Sequence, residues 1–119
     1  MTTLLYVQTT GIEKPERQYA PLILAQTAKA MGIDAAIFFL GLGITTVKKG
    51  NAEKIKLGSF PSLKEVIDNT IKSGVKLYAC EQSTQLINLA RGDFIHEAEI
   101  AGAGTLNDLV LEADGTMWF

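Results

Sequence analysis

Residues 62–80 read SLKEVIDNTIKSGVKLYAC, and this stretch decides the fold because a helix leads directly into a strand. Ser62 and Glu65 form a capping box, in which each side chain satisfies a free backbone N–H group at the helix start. Apolar side chains then recur at helical spacing over 63–71, and a glycine ends the helix. The apolar run 75–80 predicts a strand, so this stretch is a unit of an α/β fold.

The same alternation extends through the rest of the chain. The further predicted strands are 4–8, 35–40, 99–101 and 116–119. One further helix carries apolar residues at helical spacing over 20–31; if it begins at Pro15, which suits a first helical position, Pro21 falls inside it and should introduce a kink. Another is predicted over 84–91, where Leu86, Ile87 and Ala90 should face inward. The last follows Gly102, where Leu106, Leu109, Val110 and Ala113 should be buried. We expect a further edge segment at Phe94 and Ile95. The fold class is therefore α/β, a three-layer α/β/α sandwich with a mostly parallel sheet of about five strands, in one domain spanning 1–119.

Composition limits the functional classes. The chain has 119 residues, 47% apolar and 20% charged, with a net charge of −2 and scattered cations. A nucleic-acid surface needs clustered positive charge, so no nucleic-acid partner is expected, and anionic membranes have no special attraction for this surface. The most apolar window, 35–44, is about half of the ~20 residues that span a bilayer. One cysteine makes no internal disulfide, and we expect a cytoplasmic protein.

Ligands of parallel α/β sheets bind outside the carboxyl ends of the strands. The segments that follow the predicted strands there supply backbone N–H groups and hydroxyls that hold anions, although each hydroxyl is equally plausible as a helix cap. The predicted substrate-binding residues are Thr9, Thr10, Gly11, Gly41, Glu81, Gln82, Ser83, Gly102 and Gly104. The glycine clusters match neither a dinucleotide fingerprint nor a P-loop, and the irregular segment 45–58 is a candidate lid.

Cys80 is the candidate catalytic residue. The thiolate is the nucleophile, and free N–H groups at a helix N-terminus stabilise it, whereas the neighbouring Glu81 opposes a second negative charge. The alternative is that Cys80 is a small buried hydrophobe, as free cysteines often are. The only histidine, His96, is separated from Cys80 by a helix and a loop, which favours a surface role. One Cys and one His cannot hold zinc, so no metal and no cofactor are expected.

Three segments of the chain together resemble the DsrE/DsrF-like family. They are 4–11 (LLYVQTTG), the capped helix with the strand that ends at Cys80, and 102–109 (GAGTLNDL), which is followed by Glu112-Ala113-Asp114 and a final Phe119. The likeness covers nearly the whole chain, and the order and spacing of the segments are more specific than any one of them.

The resemblance implies a compact α/β domain that assembles into homo- or hetero-oligomers, often trimers or hexamers, and we expect a homo-oligomer here. It also implies a sulfur carrier or sulfurtransferase, in which the cysteine after the third strand, here Cys80, accepts sulfane sulfur as a persulfide and passes it between donor and acceptor proteins. No resolving cysteine is present, so a thiol–disulfide cycle within the chain is not expected. The alternative function is a non-catalytic anion-binding or assembly module with a structural Cys80. A nucleotide-binding domain ranks third because no fingerprint is present.

Overall fold

The computed structural model describes residues 1–119 as one parallel sheet with helices on its faces. The strands are β1 (Thr3–Gln8), β2 (Asp34–Phe39), β3 (Lys76–Cys80), β4 (Ala98–Ala101) and β5 (Gly115–Trp118). The α-helices are α1 (Tyr19–Ala30), α2 (Leu63–Lys72), α3 (Glu81–Leu86) and α4 (Ala103–Glu112). Short 3-10 helices lie at Pro15–Arg17, Gly41–Val47, Ala52–Lys54 and Arg91–Asp93.

The strand order is β4-β3-β2-β1-β5, and every neighbouring pair is parallel. The chain steps outward from β1 to β4 and then returns past β1 to form β5 at the other edge. Right-handed crossovers therefore place α1 and α2, which pack on each other, on one face and α4 on the opposite face. The predicted α/β class with about five strands is confirmed, and the sheet is wholly rather than mostly parallel.

The central strands are apolar on both faces because both faces are covered. Val7 in β1 and Ile37, Phe38 and Phe39 in β2 have no exposed surface. Tyr6 is also buried, and its hydroxyl donates to the Leu24 carbonyl of α1 at 3.3 Å. The centre of the sheet is therefore closed to ligands.

The helix predicted over 84–91 is wrong. The observed α3 begins directly after β3 and ends at Leu86, whose side chain is 77% exposed rather than inward. Asn88 then takes a left-handed conformation with φ of 53°, which stops the helix before the glycine expected to end it. Ala90 is exposed as well.

The predicted buried face of the last helix is only partly correct. Leu106, Leu109 and Ala113 pack against the core while remaining partly accessible, whereas Val110 is exposed. No residue of α4 is fully buried, because this helix alone covers its part of the sheet face. It therefore leaves apolar surface available.

The kink at Pro21 and the lid over 45–58 are not found in the structure. Pro21 does not kink α1, since the helix begins at Tyr19 and Pro21 lies in the first turn, where backbone N–H groups lack intrahelical partners. The irregular segment 45–58 contains 3-10 turns and buries Thr46, Val47 and Asn51. A segment anchored in this way is part of the core rather than a free lid.

The further edge segment predicted at Phe94 and Ile95 is reduced to a single antiparallel bridge between Phe94 and Lys48.

None of the α-helices combines the length and the apolar content needed to cross a lipid bilayer.

Candidate functional site

The only thiol lies at the carboxyl edge of the sheet. Cys80 is the last residue of β3 and the residue immediately before α3, with no loop between them. It pairs in register with Ala101, the last residue of β4. Alternation along the strand places Cys80 on the same face as Tyr78 and Lys76. The residue is 4% exposed, so the resting thiol is nearly covered.

The Gln82 side chain lies over this thiol. The Cys80 S–H donates to the Gln82 Oε1 at 3.7 Å, a distance at which sulfur still forms a weak hydrogen bond. The Gln82 Nε2 lies 3.8 Å from the position that a Cβ on Gly102 would occupy. The amide therefore reaches from Cys80 toward the start of α4, and Gln82 itself is exposed to solvent.

A second contact fixes the backbone beneath Gln82. Gly41 follows β2 with φ of +60°, a conformation that favours glycine. Its N–H donates to the Ser83 Oγ at 2.8 Å, and Ser83 is buried. The hydroxyl of Ser83 thus ties the turn after β2 to the first turn of α3. Among the predicted site residues, Gly41, Gln82, Ser83 and Gly102 gather around Cys80.

Glu81 points away from this group. Its carboxylate lies 4.0 Å from the Arg91 guanidinium, and both side chains are largely exposed. The sequence left open whether this carboxylate faces the thiol; in the structure the Glu81 side chain is largely exposed and lies toward Arg91. His96 lies just before β4, at the amino end of the sheet, where it pairs with Glu97 at 3.4 Å. The strands are parallel, so His96 and Cys80 are at opposite ends and form no catalytic pair.

The predicted residues after β1 form a separate group. Thr9 lies two strands from Cys80, or roughly 10 Å at the usual spacing. Its hydroxyl donates to the Phe119 carbonyl at 2.7 Å and holds the end of β5. The Thr10 Oγ1 accepts from the Gln8 Nε2 at 2.6 Å. A Cβ on Gly11 would overlap the Leu42 carbonyl oxygen, which explains glycine there by packing.

The glycines after β4 differ from each other. Gly102 is the N-cap residue of α4 and lies next to Gln82. Gly104 is inside α4, is exposed, and has open space where a side chain would project. The structure therefore brings Gly102 to Cys80 and leaves Gly104 facing solvent.

A buried polar cluster beside the rim was missed by sequence reasoning. The Gln18 Nε2 donates to the carbonyls of Thr10, Gly11 and Lys14 at 3.1, 2.7 and 3.2 Å, and its Oε1 accepts from the Thr46 hydroxyl. The Gln8 Nε2 donates to the Thr10 carbonyl at 2.6 Å, while its Oε1 is buried without a partner. The one signal in the sequence was a glutamine ending the apolar run of β1.

The surface cavities lie away from the thiol. Four cavities are present, and Cys80 lines none of them. The largest, about 480 Å³, follows the outer edge of β4 and includes Lys49, Arg91 and His96. Another of about 310 Å³ lies between Arg17 and Trp118. In the single chain, Cys80 is therefore reached only by displacing the atoms that cover it.

Comparison with known proteins points to one family. A model of the DsrE/DsrF-like family matches residues 3–119. Protein MJ0760 of Methanocaldococcus jannaschii is 31% identical over 102 residues, which cover 86% of this chain and 37% of that protein. Protein MK0008 of Methanopyrus kandleri is 30% identical over 105 residues, covering 87% of this chain and 83% of that protein. The chain thus spans little more than a third of the first relative.

A more distant relative and two solved structures agree with this match. The sulfur carrier protein DsrE2 of Allochromatium vinosum is 24% identical, with 81% of this chain and 86% of that protein covered. The crystal structure of the ychN protein from E. coli has a TM-score of 0.81 at 19% identity, with both chains fully covered. Protein MTH1491 from Methanobacterium thermoautotrophicum has a TM-score of 0.72 at 10% identity, also with full coverage. At these identities, the two structures establish the fold.

Proposed function

Because this chain belongs to the DsrE/DsrF-like family, we propose that it is a sulfur carrier in which Cys80 accepts sulfane sulfur as a persulfide and passes it to a partner. The observation that carries the proposal is the position of the only thiol, at the carboxyl end of β3 where sites of parallel α/β sheets form. A family relative is named a sulfur carrier protein. A carrier needs one thiol, and this chain has one.

The proposed loading step conserves atoms and charge. Cys80 first loses its proton to solvent, and its thiolate attacks the outer sulfur of a donor persulfide, R–S–SH. A new S–S bond forms on Cys80, the S–S bond of the donor breaks, and the donor leaves as R–S⁻. Cys80 then carries –S–SH, and an acceptor thiolate removes the outer sulfur by the same exchange. No net oxidation takes place, so no cofactor is needed.

A second function is favoured by one observation. Cys80 is 4% exposed and lines no cavity, which suits a structural cysteine in a non-catalytic module that binds a small anion or assembles with active relatives. Under this alternative, replacing Cys80 changes packing and nothing else. The two functions therefore differ in whether native protein takes up sulfur.

The proposal includes partners and a location. We propose a homo-oligomer, a trimer or hexamer, that exchanges sulfur with donor and acceptor proteins in the cytoplasm. Support comes from exposed apolar side chains on α4 and the edge strand β5: Leu111 is 84% exposed, Trp118 54% and Met117 45%. An apolar edge strand invites association. Sedimentation velocity of wild type should give the mass of several chains, and a monomer at micromolar concentration would contradict assembly.

The oligomer surface can be tested by a charge substitution. Leu111→Glu should shift the sedimenting species toward the monomer, because a carboxylate would then be buried between subunits. Met31→Glu is the matched control, since Met31 is also exposed but lies after α1, on the other face. Equal effects of the two variants would contradict an interface on α4 and β5.

The loading experiment is intact-mass measurement after incubation of native protein with polysulfide. Wild type should gain the mass of sulfur atoms, and Cys80→Ser should gain none. An unmodified wild-type thiol, under conditions that load a small free thiol, would contradict the carrier function and favour the binding module.

A further inference from the structure

Cys80 is buried, whereas the proposed sulfur transfer requires that a donor molecule reaches its thiol. Sulfur transfer needs access for in-line attack on a donor persulfide, yet the resting thiol is 4% exposed. Some part of its cover must therefore move. Cys80 pairs with Ala101 of β4, is followed directly by α3, and bonds the Gln82 amide through its thiol. The question is which of these neighbours can move most easily.

The backbone around the thiol is held in place. Cys80 pairs with Ala101 within the sheet. The first turn of α3 is tied to Gly41 through the buried Ser83 hydroxyl at 2.8 Å. Gly41 belongs to a segment whose 3-10 helix, Gly41–Val47, is largely buried. Opening the site by backbone movement would break the sheet pairing or this hydrogen bond.

The Gln82 side chain is the neighbour of the thiol that can move without any change in the backbone. It is exposed, and its only hydrogen bond is the weak contact between its Oε1 and the Cys80 S–H at 3.7 Å. Its other amide atom lies beside Gly102, where the absence of a side chain leaves room for the amide. Rotation about the Gln82 side-chain torsions removes this cover without moving any backbone atom, on the picosecond-to-nanosecond timescale of exposed rotamers.

We propose that Gln82 is a positioning residue that covers the resting Cys80 thiol and must swing outward before sulfur is exchanged. The biological role of this gate rests on the proposed sulfur-carrier function, whereas its effect on thiol access does not. The same amide has a use after loading, since Nε2 is a donor that can face the outer sulfur of a persulfide.

The test measures access to the thiol with a reagent unrelated to sulfur transfer. Native wild type, Gln82→Ala and Gln85→Ala are alkylated with iodoacetamide over a range of pH, and modification of Cys80 is followed by intact mass. Gln85 is the matched control because it is exposed on the same helix and makes no side-chain hydrogen bond with Cys80. Thermal unfolding of each variant confirms that the fold is retained.

Gln82→Ala should alkylate about fivefold faster than wild type, as expected for loss of one hydrogen-bonded cover. The change should be largest at the lower pH values, where the thiol carries the proton that it donates to the Gln82 Oε1, and Gln85→Ala should match wild type at every pH. Unchanged alkylation of Gln82→Ala, or equal acceleration in Gln85→Ala, would overturn the gate. Faster alkylation together with failure of wild type to load polysulfide would support the gate and reject the carrier function.

Discussion

The Gly41 N–H donates to the Ser83 Oγ at 2.8 Å, so a buried hydroxyl joins the turn after β2 to the helix that follows Cys80. The two residues are 42 positions apart, and their contact ties the first turn of the helix after Cys80 to the neighbouring strand β2. The position of Cys80 therefore depends on a hydrogen bond in which Cys80 takes no part.

Ser83→Ala should lower the free energy of unfolding by about 1–2 kcal/mol, because the Gly41 N–H loses its acceptor in a partly buried place. Urea unfolding measures the change. Ser73→Ala is the control, since the Ser73 hydroxyl donates to the Asn69 carbonyl at an exposed helix end and should matter less. A loss in Ser73→Ala as large as that in Ser83→Ala would contradict the role of this contact.

Gly43→Ala should destabilise the protein by about 1–3 kcal/mol, since the new Cβ would overlap the Gln8 carbonyl oxygen. Gly104→Ala should stabilise it by about 0.5–1 kcal/mol, because Gly104 lies inside α4 with open space around its Cα. Thermal unfolding compares the pair. If both substitutions raised, or both lowered, the free energy of unfolding, the close contact at Gly43 and the open space at Gly104 would be contradicted.

Gln18→Met should cost about 1–2 kcal/mol, because methionine fills the space of the amide but leaves the Thr46 hydroxyl without its acceptor. The carbonyls of Thr10, Gly11 and Lys14 lose the bond from Gln18 and keep one other donor each. Gln85→Met, at an exposed position, should change the free energy of unfolding by less than about 0.5 kcal/mol. Chemical denaturation tests both. A neutral Gln18→Met would show that the rim loops are held by other contacts.

Alkaline stability should depend on Tyr6. Burial raises the pKa of this hydroxyl above its usual 10.0. Between the unfolded and folded pKa values the folded state binds more protons, so this contribution is complete below pH 10 and is lost as pH rises through the folded pKa. Tyr6→Phe should cost about 1 kcal/mol at neutral pH, through the lost bond to the Leu24 carbonyl.

The Tyr6→Phe variant should also lose less stability than wild type above pH 10. Tyr78→Phe serves as the control, because Tyr78 is only half buried. Urea midpoints at neutral and alkaline pH provide the measurement. Parallel pH profiles for wild type and Tyr6→Phe would contradict the assignment.

Local signals in the sequence predicted much of the fold. The Ser62 hydroxyl accepts from the Glu65 N–H at 3.3 Å, which is one half of the predicted capping box; the reciprocal bond from the Ser62 N–H to the Glu65 side chain does not form. Gly74 follows the end of α2 with φ of +91°, as predicted for the residue that stops this helix. The strand run ending at Cys80 was predicted by its apolar character. These features depend on residues within a few positions of one another, which is why the sequence alone reveals them.

Long-range contacts decided the features that could not be predicted. Gln18 and Thr46 bond across 28 positions, and neither carries a local pattern that marks it as a partner. The bounds of α3 were mispredicted because the spacing of Leu86, Ile87 and Ala90 resembles an inward helical face, whereas the helix begins directly from β3. Of these three side chains, only Ile87 packs against the core. The cover of Cys80 by Gln82 depends on side-chain direction, which spacing does not give.

Sulfur discharge from the loaded protein is the decisive measurement. Native protein loaded with polysulfide is freed of excess donor, mixed with a small acceptor thiol, and weighed by intact-mass spectrometry over time, with Cys80→Ser treated in parallel. A sulfur carrier loses the mass of the outer sulfur, returns to the free thiol and can be loaded again, while Cys80→Ser never changes mass. Wild type that never gains sulfur, or that keeps it in the presence of the acceptor, would contradict the function proposed for Cys80.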